Sequence, residues 1–427
     1  MTSAEAQAGV GPVPRAPRGH GKDPAVTSVR NAMIIGGGIA GPATAMALQM
    51  AGIDPVVYEA RPATADQTGA FLTVASNGIS ALRVLEAGQA ILDEGFPTPS
   101  ITLRGCTGKQ LGANSTGLTL PDGTASHTIK RADLYRALHE QTLQRGIPSQ
   151  FGKRLVSAEQ AAQGVRAVFA DGGSAEADLL IGCDGVHSAV RQVIDPGAPK
   201  PSYLGLINIG GYASGVSADS KPGSYEMIFG RRAFFGYALA PDGEVWWFAN
   251  VPQASEPARG ELQATDPEEW RRRLLALFAG DAGPAVRLIE ATPQLSPASP
   301  IHAVPHLPVW HRDRMIVIGD AAHAPSPTSG QGASLSIEDA VVLAQCLRDL
   351  PTPAAAFARF EAARRRRVER IVKWAARISS SKAAGPVGRV IRDALMPVFM
   401  RMAAASPMMK EIYGYHLEWD RSGSAAG

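Results

Sequence analysis

Residues 31–41 read Asn31-Ala32-Met33-Ile34-Ile35-Gly36-Gly37-Gly38-Ile39-Ala40-Gly41, and this stretch decides the fold. A short strand-forming run, Asn31 to Ile35, enters the spacing Gly36-x-Gly38-x-x-Gly41, and a helix is expected from Pro42 to Ala51. The three glycines have separate physical roles. The first permits a tight turn, the second lets the backbone approach a pyrophosphate, and the third lets helix and strand pack closely. Ile39 and Ala40 complete the turn at the helix N-terminus, whose partial positive charge favours the phosphates. A second strand, Pro55 to Tyr58, ends at Glu59, 23 residues after Gly36. A carboxylate there accepts hydrogen bonds from ribose hydroxyls and disfavours a 2′-phosphate. At this point NAD and FAD are equal candidates.

Working outward, Ser80 to Leu92 and Lys130 to Arg145 are expected as helices. Val165 to Ala170 and Ala177 to Ile181 are expected as strands flanking the turn Asp171-Gly172-Gly173. From about Ser202 to Thr292 the texture changes to glycine, aromatics and alternation: Met227 to Gly230, Phe234 to Leu239 and Val245 to Val251, which implies an antiparallel sheet with one helix, Glu268 to Phe278. Met315 to Ile318 is a strand, a helix begins near Ser336, and Pro353 to Trp419 is helical, with Pro386, Pro397 and Pro407 as breaks.

Two further glycine segments follow buried strands: Gly182-Cys183-Asp184-Gly185-Val186-His187-Ser188-Ala189-Val190-Arg191, and Gly319-Asp320-Ala321-Ala322-His323 continuing to Pro327-Thr328-Ser329-Gly330-Gln331-Gly332-Ala333. In this order the three segments resemble the FAD-dependent aromatic hydroxylases, the single-component flavoprotein monooxygenases of the p-hydroxybenzoate hydroxylase type. Urate and salicylate hydroxylases and the tetracycline-inactivating monooxygenases are similar. The resemblance covers about residues 30 to 420, including the closing Tyr413-Gly414-Tyr415-His416-Leu417-Glu418-Trp419.

The resemblance implies an α/β fold: a Rossmann-type FAD-binding domain, an antiparallel β-sheet substrate domain and a C-terminal helical segment. The expected division is a disordered leader, 1–28; the first part of the FAD-binding domain, 29–200, with 98–125 joining the substrate-domain sheet; the substrate domain, 201–294; the second part of the FAD-binding domain, 295–350; C-terminal helices, 351–420; and a disordered tail, 421–427. It also implies that Asp320 holds the flavin ribityl chain, that Arg131 and Arg61 contact FAD, and that Asp184 and Arg191 serve FAD and the nicotinamide. The loop of Pro327, Gly330, Gln331 and Gly332 would pass beside the isoalloxazine, where glycine amides leading into a helix can meet negative charge on reduced flavin.

More ordinary readings stay open beside these. Asp184 could be a turn residue, Arg131 a charge at a helix start, and His323 a structural member of its motif. Phe71 and Asn77 fall in the segment that passes near the flavin in this family. Met227, Phe235, Tyr237, Trp246 and Phe248 could line an apolar substrate pocket together with Phe71 and Pro327. Alternation puts Phe235 with Tyr237, and Trp246 with Phe248, on common faces.

The activity so implied is an FAD-dependent monooxygenase. Reduction by NADPH or NADH and reaction with O2 would form a C4a-hydroperoxide, which inserts one oxygen atom into an aromatic or polycyclic small molecule. Hydroxylation and epoxidation both fit, and the Ala-, Gly-, Pro- and Arg-rich composition suggests natural-product tailoring. The alternatives are a halogenase or reductase of the same fold, or a non-catalytic flavin-binding protein. Val245-Trp246-Trp247-Phe248-Ala249-Asn250-Val251-Pro252 matches the halogenase Trp-x-Trp-x-Ile-Pro segment poorly.

Composition excludes other classes. Over 427 residues, 42 Lys and Arg balance 39 Asp and Glu, for a net charge of +3, which argues against nucleic acid as partner. The arginine run Arg364 to Arg367 is read as a solvated helix face, and the Met-rich stretch Met396 to Met409 as helix packing against the body. Three widely spaced cysteines offer neither a disulfide framework nor a metal site and suit a reducing cytoplasm. No apolar run approaches the roughly 18 residues of a membrane span. A monomer or homodimer is expected.

Overall fold

The computed structural model describes residues 29–62, 70–380, 386–404 and 407–420. The expected leader, 1–28, and tail, 421–427, lie outside the described residues.

Two sheets divide the molecule. The first runs His311–Arg312, Met315–Val317, Leu179–Gly182, Asn31–Ile35, Asp54–Tyr58, Ser149–Gln150. Its central strand Asn31–Ile35 pairs parallel with both neighbours, Ala32 opposite Leu179 and Met33 opposite Val56. Strands buried on both faces need covering layers. The glycine-turn helix Ala40–Met50, buried along most of its length, and the long helix Gly332–Asp349 pack together there. Between Asp54–Tyr58 and the helix Arg131–Gln144, a small sheet of Phe71–Val74, His127–Lys130 and Phe96–Pro97 forms a collar.

The second sheet has seven strands, in the order Ser299–Ala303, Ser202–Ala213, Val245–Pro252, Phe234–Leu239, Ser224–Phe229, Ser100–Gly105, Gln110–Ser115. The last two come from far upstream, and Ser100–Gly105 pairs parallel with Ser224–Phe229, Leu103 opposite Met227. One face of this sheet packs on helices Pro267–Phe278 and Ala285–Glu290 around Trp247, Phe235 and Phe278. The other face turns toward the collar.

Several elements differ from expectation, each for a local reason. The helix expected over Ser80–Leu92 is two helices, Ser76–Val84 and Gly88–Leu92, because Glu86 takes the left-handed conformation (φ 55°). The Asp171-Gly172-Gly173 turn joins Gly164–Phe169 to Ser174–Ala177, while Leu179–Gly182 leaves for the parallel sheet. Asp178 redirects the chain: its carboxylate accepts from the backbone N–H of Arg30 (2.7 Å) and Asn31 (3.2 Å). The antiparallel region has a second and third helix, Glu261–Ala264 and Ala285–Glu290, beside Pro267–Phe278. Pro397 does not break its helix, which runs Pro386–Ala404. A proline removes one i→i−4 bond but has a helical φ, and packing against Gln110–Ser115 holds the remainder. On this helix Met396 and Met400 pack inward as expected, whereas Val398, Phe399 and Met402 are exposed.

The largest correction concerns the arginine run. Arg364 is fully buried on the helix Pro353–Ser380, with Nη2 2.7 Å from Glu338 and Nε 2.6 Å from Asp339. Arg367 also pairs with Glu338, at 2.8 Å. The two carboxylates are themselves buried on the long helix, so each arginine found there is one half of an ion pair. Burial raises the Asp339 carboxyl, but His323 and Arg364 outweigh it and hold the group down to about 2, from 3.8. A depressed folded-state value means that this stability is present above pH 3.8 and is lost as pH falls toward 2. Acid unfolding followed by circular dichroism is expected to show a cooperative loss of about 2 kcal/mol over that window. An Asp339→Asn variant, already destabilised at neutral pH, should show a flatter acid limb.

Candidate cofactor and substrate site

The glycine turn forms the floor of the site. Gly36 sits at φ 110°, and a Cβ there would drive into the backbone carbonyl of Cys183. A Cβ on Gly41 would similarly meet the carbonyl of Gly36. The first and second glycine segments therefore touch backbone to backbone, an approach open only to glycine. Ile39 and Ala40 begin the helix, and Gly37 and Gly38 remain half-open toward a cleft that Glu59, Arg61 and Tyr135 also line. Glu59 is held in place from both sides: Oε2 accepts from the N–H of Gly37 (2.6 Å) and Oε1 from that of Arg61 (2.8 Å). Its remaining lone pairs suit a diol. The Arg61 side chain is exposed at the rim.

Asp184 and Arg191 are used inside the protein. The Asp184 carboxylate accepts from Ser188 Oγ (2.5 Å) and from the N–H of Ala189 (2.7 Å) and Val190 (3.1 Å), capping the short helix Ala189–Ile194. Arg191 is buried and donates to the carbonyls of Ala321 (2.9 Å) and Val186 (2.7 Å). Together they tie the second motif to the third. The geometry thus gives both side chains structural partners, and the backbone of this segment is what meets the glycine turn.

Asp320 differs. It is only partly exposed, and its Oδ1 is buried without a hydrogen-bond partner. Burial raises its carboxyl, with His323 and Arg131 pulling the other way. An unsatisfied buried carboxylate oxygen is costly unless donors complete it, and a polyhydroxylated chain such as a ribityl supplies them. Arg131 donates to Tyr135 Oη at 2.8 Å and is exposed, near enough to Asp320 for that carboxylate to favour its charged form. His323 is bound through Nε2 to Asp339 (2.5 Å) beneath Trp310, a structural post.

The loop beyond Asp320 makes a short 3-10 turn, Pro327–Ser329, with Pro327 exposed and Gly330 left-handed (φ 61°), before the long helix starts at Gly332. Gly330, Gly332 and Ala333 are half-open. The Gln331 side chain turns the other way. It is fully buried, and its Oε1 accepts from Asn77 Nδ2 (3.0 Å), which also donates to Glu338 (2.6 Å). Asn77 therefore lies behind the loop and braces it; it does not line the cleft.

The sheet's collar-facing side completes the site. Phe71 contacts Tyr225, Trp246 and Phe248 through their rings. Phe71, Met227 and Phe248 are half-open and Trp246 is buried beneath them. Gly236 leaves space between them, since a Cβ there would lie 2.6 Å from the Phe248 ring and 2.8 Å from Met227 Sδ. The carbonyl of Ala70 joins this face to the cradle, accepting from the N–H of Arg131 (3.1 Å) and from Tyr212 Oη (2.6 Å).

Phe235 and Tyr237 are a correction: both lie on the opposite, helix-covered face, with Phe235 stacked on Trp247 at 5.3 Å. Alternation pairs the residues correctly but cannot say which face meets the cleft. Sequence reading also missed Tyr225, whose hydroxyl bonds Thr128 (2.7 Å) and Thr73 (3.0 Å), and Tyr212. Phe248→Ala is expected to weaken binding of an aromatic ligand about tenfold while leaving stability nearly unchanged. Phe235→Ala should do the reverse, losing about 3–5 kcal/mol in urea unfolding with ligand affinity intact.

Known proteins with the same organisation can be set beside this geometry. A family model described as "FAD binding domain" matches residues 30–375. The chain is 32% identical over 347 residues to an FAD-dependent urate hydroxylase of Klebsiella pneumoniae, covering 80% of this chain and 87% of the relative. It is 31% identical to an aurachin C monooxygenase/isomerase of Stigmatella aurantiaca, covering 81% and 88%. The structure is similar to Klebsiella pneumoniae HpxO solved with FAD and uric acid, with a TM-score of 0.76, 27% identity, and 90% and 99% of the two chains covered.

Proposed function

The chain belongs to the FAD binding domain family, and from that membership we propose how its own residues serve the reaction. It is an FAD-dependent monooxygenase, with reduced nicotinamide and O2 as co-substrates. The halogenase and reductase alternatives are not favoured. Bound FAD supplies acceptance of hydride from the nicotinamide and activation of O2.

The protein's part is to hold, orient and exclude water. Glu59 would accept from the adenosine ribose and the Ala40–Met50 helix would face the pyrophosphate. Asp320 would accept from the ribityl hydroxyls, and the amides of Gly332 and Ala333 would offer donors at the helix start. The substrate reading is an aromatic or polycyclic small molecule, taken between the loop and the collar-facing side of the second sheet. Hydroxylation or epoxidation in natural-product tailoring, within the cytoplasm, is the fuller form of the proposal. Among the described residues no helix is long and apolar enough to cross a membrane.

The observation that carries this reading is the orphaned Asp320 oxygen, near enough to Arg131 to feel its charge, with Arg131 in turn joined through Ala70 to a ring-lined sheet face. The test is to reconstitute purified protein with FAD and supply NADPH or NADH, air and a panel of phenols and fused-ring aromatics. Substrate-stimulated oxygen uptake with a product 16 mass units heavier (about one oxygen atom) is expected. Flavin uptake without reduction would instead mark a binding protein without turnover.

A further inference from the structure

One polar feature on the ring-lined sheet face has no role so far. Asn208 and Asn250 stand directly opposite each other on neighbouring antiparallel strands. They lie two residues along the strands from Gly210 and Phe248, and the period of two puts all four on the same side. Gly210 packs toward Ala70, since a Cβ there would lie 3.4 Å from the Ala70 Cβ, so this row adjoins the edge of the cofactor cradle. Asn250 is buried and donates from Nδ2 to Asn208 Oδ1 at 3.0 Å.

That bond fixes the Asn208 amide. With its oxygen committed to Asn250, its NH2 points away from the partner strand, and Asn208 is itself half-open. Asn208 thus has both N–H donors of its amide to present. Other polar groups on this face have partners, Tyr212 on Ala70, Tyr225 on Thr73 and Thr128, and Trp246 Nε1 on Glu244, while Ser299, opposite Asn208 on the edge strand, is exposed.

Charge then narrows the ligand. None of the residues that the central strands direct to this side is charged, and the described cations at its margin are already engaged, Lys130 with Glu244, Arg392 with Asp393, and Arg131 with the Tyr135 hydroxyl and the charge of Asp320. A carboxylate buried against amide donors alone would lack a countercharge, which costs several kcal/mol. A neutral carbonyl has no such penalty. Resting on the monooxygenase reading above, we infer that Asn208, held by Asn250, is the substrate's polar anchor, and that the substrate is an uncharged fused-ring aromatic bearing a carbonyl acceptor.

The test uses FAD-loaded full-length protein and two probes of nearly equal shape, 1-naphthamide and 1-naphthoate, titrated by perturbation of the flavin absorbance. Naphthamide is expected to bind at least about tenfold more tightly, because the carboxylate would be buried without a countercharge. Asn208→Leu should weaken naphthamide by about tenfold, the loss of one good hydrogen bond, and Asn208→Arg should reverse the preference in favour of naphthoate, with flavin occupancy unchanged in both. Equal binding of the two probes to the unmodified protein, or unchanged naphthamide affinity in Asn208→Leu, overturns the inference while leaving the flavin reading intact. If the protein takes up no FAD, the monooxygenase reading falls first and the anchor with it.

Discussion

Asp320→Ala is expected to weaken FAD binding by about 100-fold, with the fold retained. The reasoning starts from the buried, unpartnered Oδ1 and the partly exposed remainder of this carboxylate. Hydrogen bonds to a charged acceptor contribute about 1.5–3 kcal/mol each. Two such bonds from ribityl hydroxyls give the stated factor after allowance for water entering the site. Apoprotein titrated with FAD, followed by quenching of flavin fluorescence, measures the loss directly. Asp320→Asn keeps one acceptor and the shape, so about tenfold is expected. In the apoprotein the Ala variant should be no less stable than the parent, because burial already raises this carboxyl and removing it relieves that penalty. Unaltered FAD affinity in Asp320→Ala would dismiss the assignment of the ribityl site.

Arg364→Met is expected to destabilise the fold by about 3–5 kcal/mol, the range seen when one partner of a buried ion pair is removed. Arg364 contacts both Glu338 and Asp339, and all three are fully buried. Removing the guanidinium leaves Asp339 with His323 and Glu338 with Arg367. The consequence reaches the cleft, because Glu338 also accepts from the Asn77 amide that holds Gln331 at the start of the long helix. Urea unfolding should show the lost stability, and flavin retention should fall with it. Arg364→Lys is expected to recover only part, since an ammonium cannot span two carboxylates as the planar fork does. Replacing Glu338 as well, by Gln, should be less damaging than the sum of the single changes, because the groups share one network. Strict additivity would mean that the network is not a unit.

The cofactor half was legible because its constraints are backbone constraints. Gly36 and Gly41 occupy positions where any Cβ collides with main chain, and such positions leave a mark in composition that needs no partner to interpret. Asp320 stands out through its motif, and its buried, unpartnered Oδ1 is what supports the proposal that a ligand meets it. Asp184 and Arg191 were singled out by the same kind of spacing, and the structure adds what spacing cannot carry, the protein partners of each side chain, which depend on rotamers.

The substrate half was harder for a geometric reason. Period-two alternation sorts Phe235 and Tyr237 from Trp246 and Phe248, yet the two sets are equivalent until the helix Pro267–Phe278 covers one of them. The buried arginines were misread for a related reason. Four consecutive basic residues look solvated until Glu338 and Asp339, some 25 positions upstream of Arg364, are found facing them. Long-range pairing of this kind has no local signature.

The carbonyl of Ala70 serves two masters, one on each half of the molecule: the main chain at Arg131, beside the coenzyme cleft, and the phenol of Tyr212, on the aromatic wall. A single oxygen atom therefore acts as a pivot pin. Losing the phenol would leave that oxygen to the Arg131 amide, so at this point the collar's hold on the aromatic wall rests on one side chain.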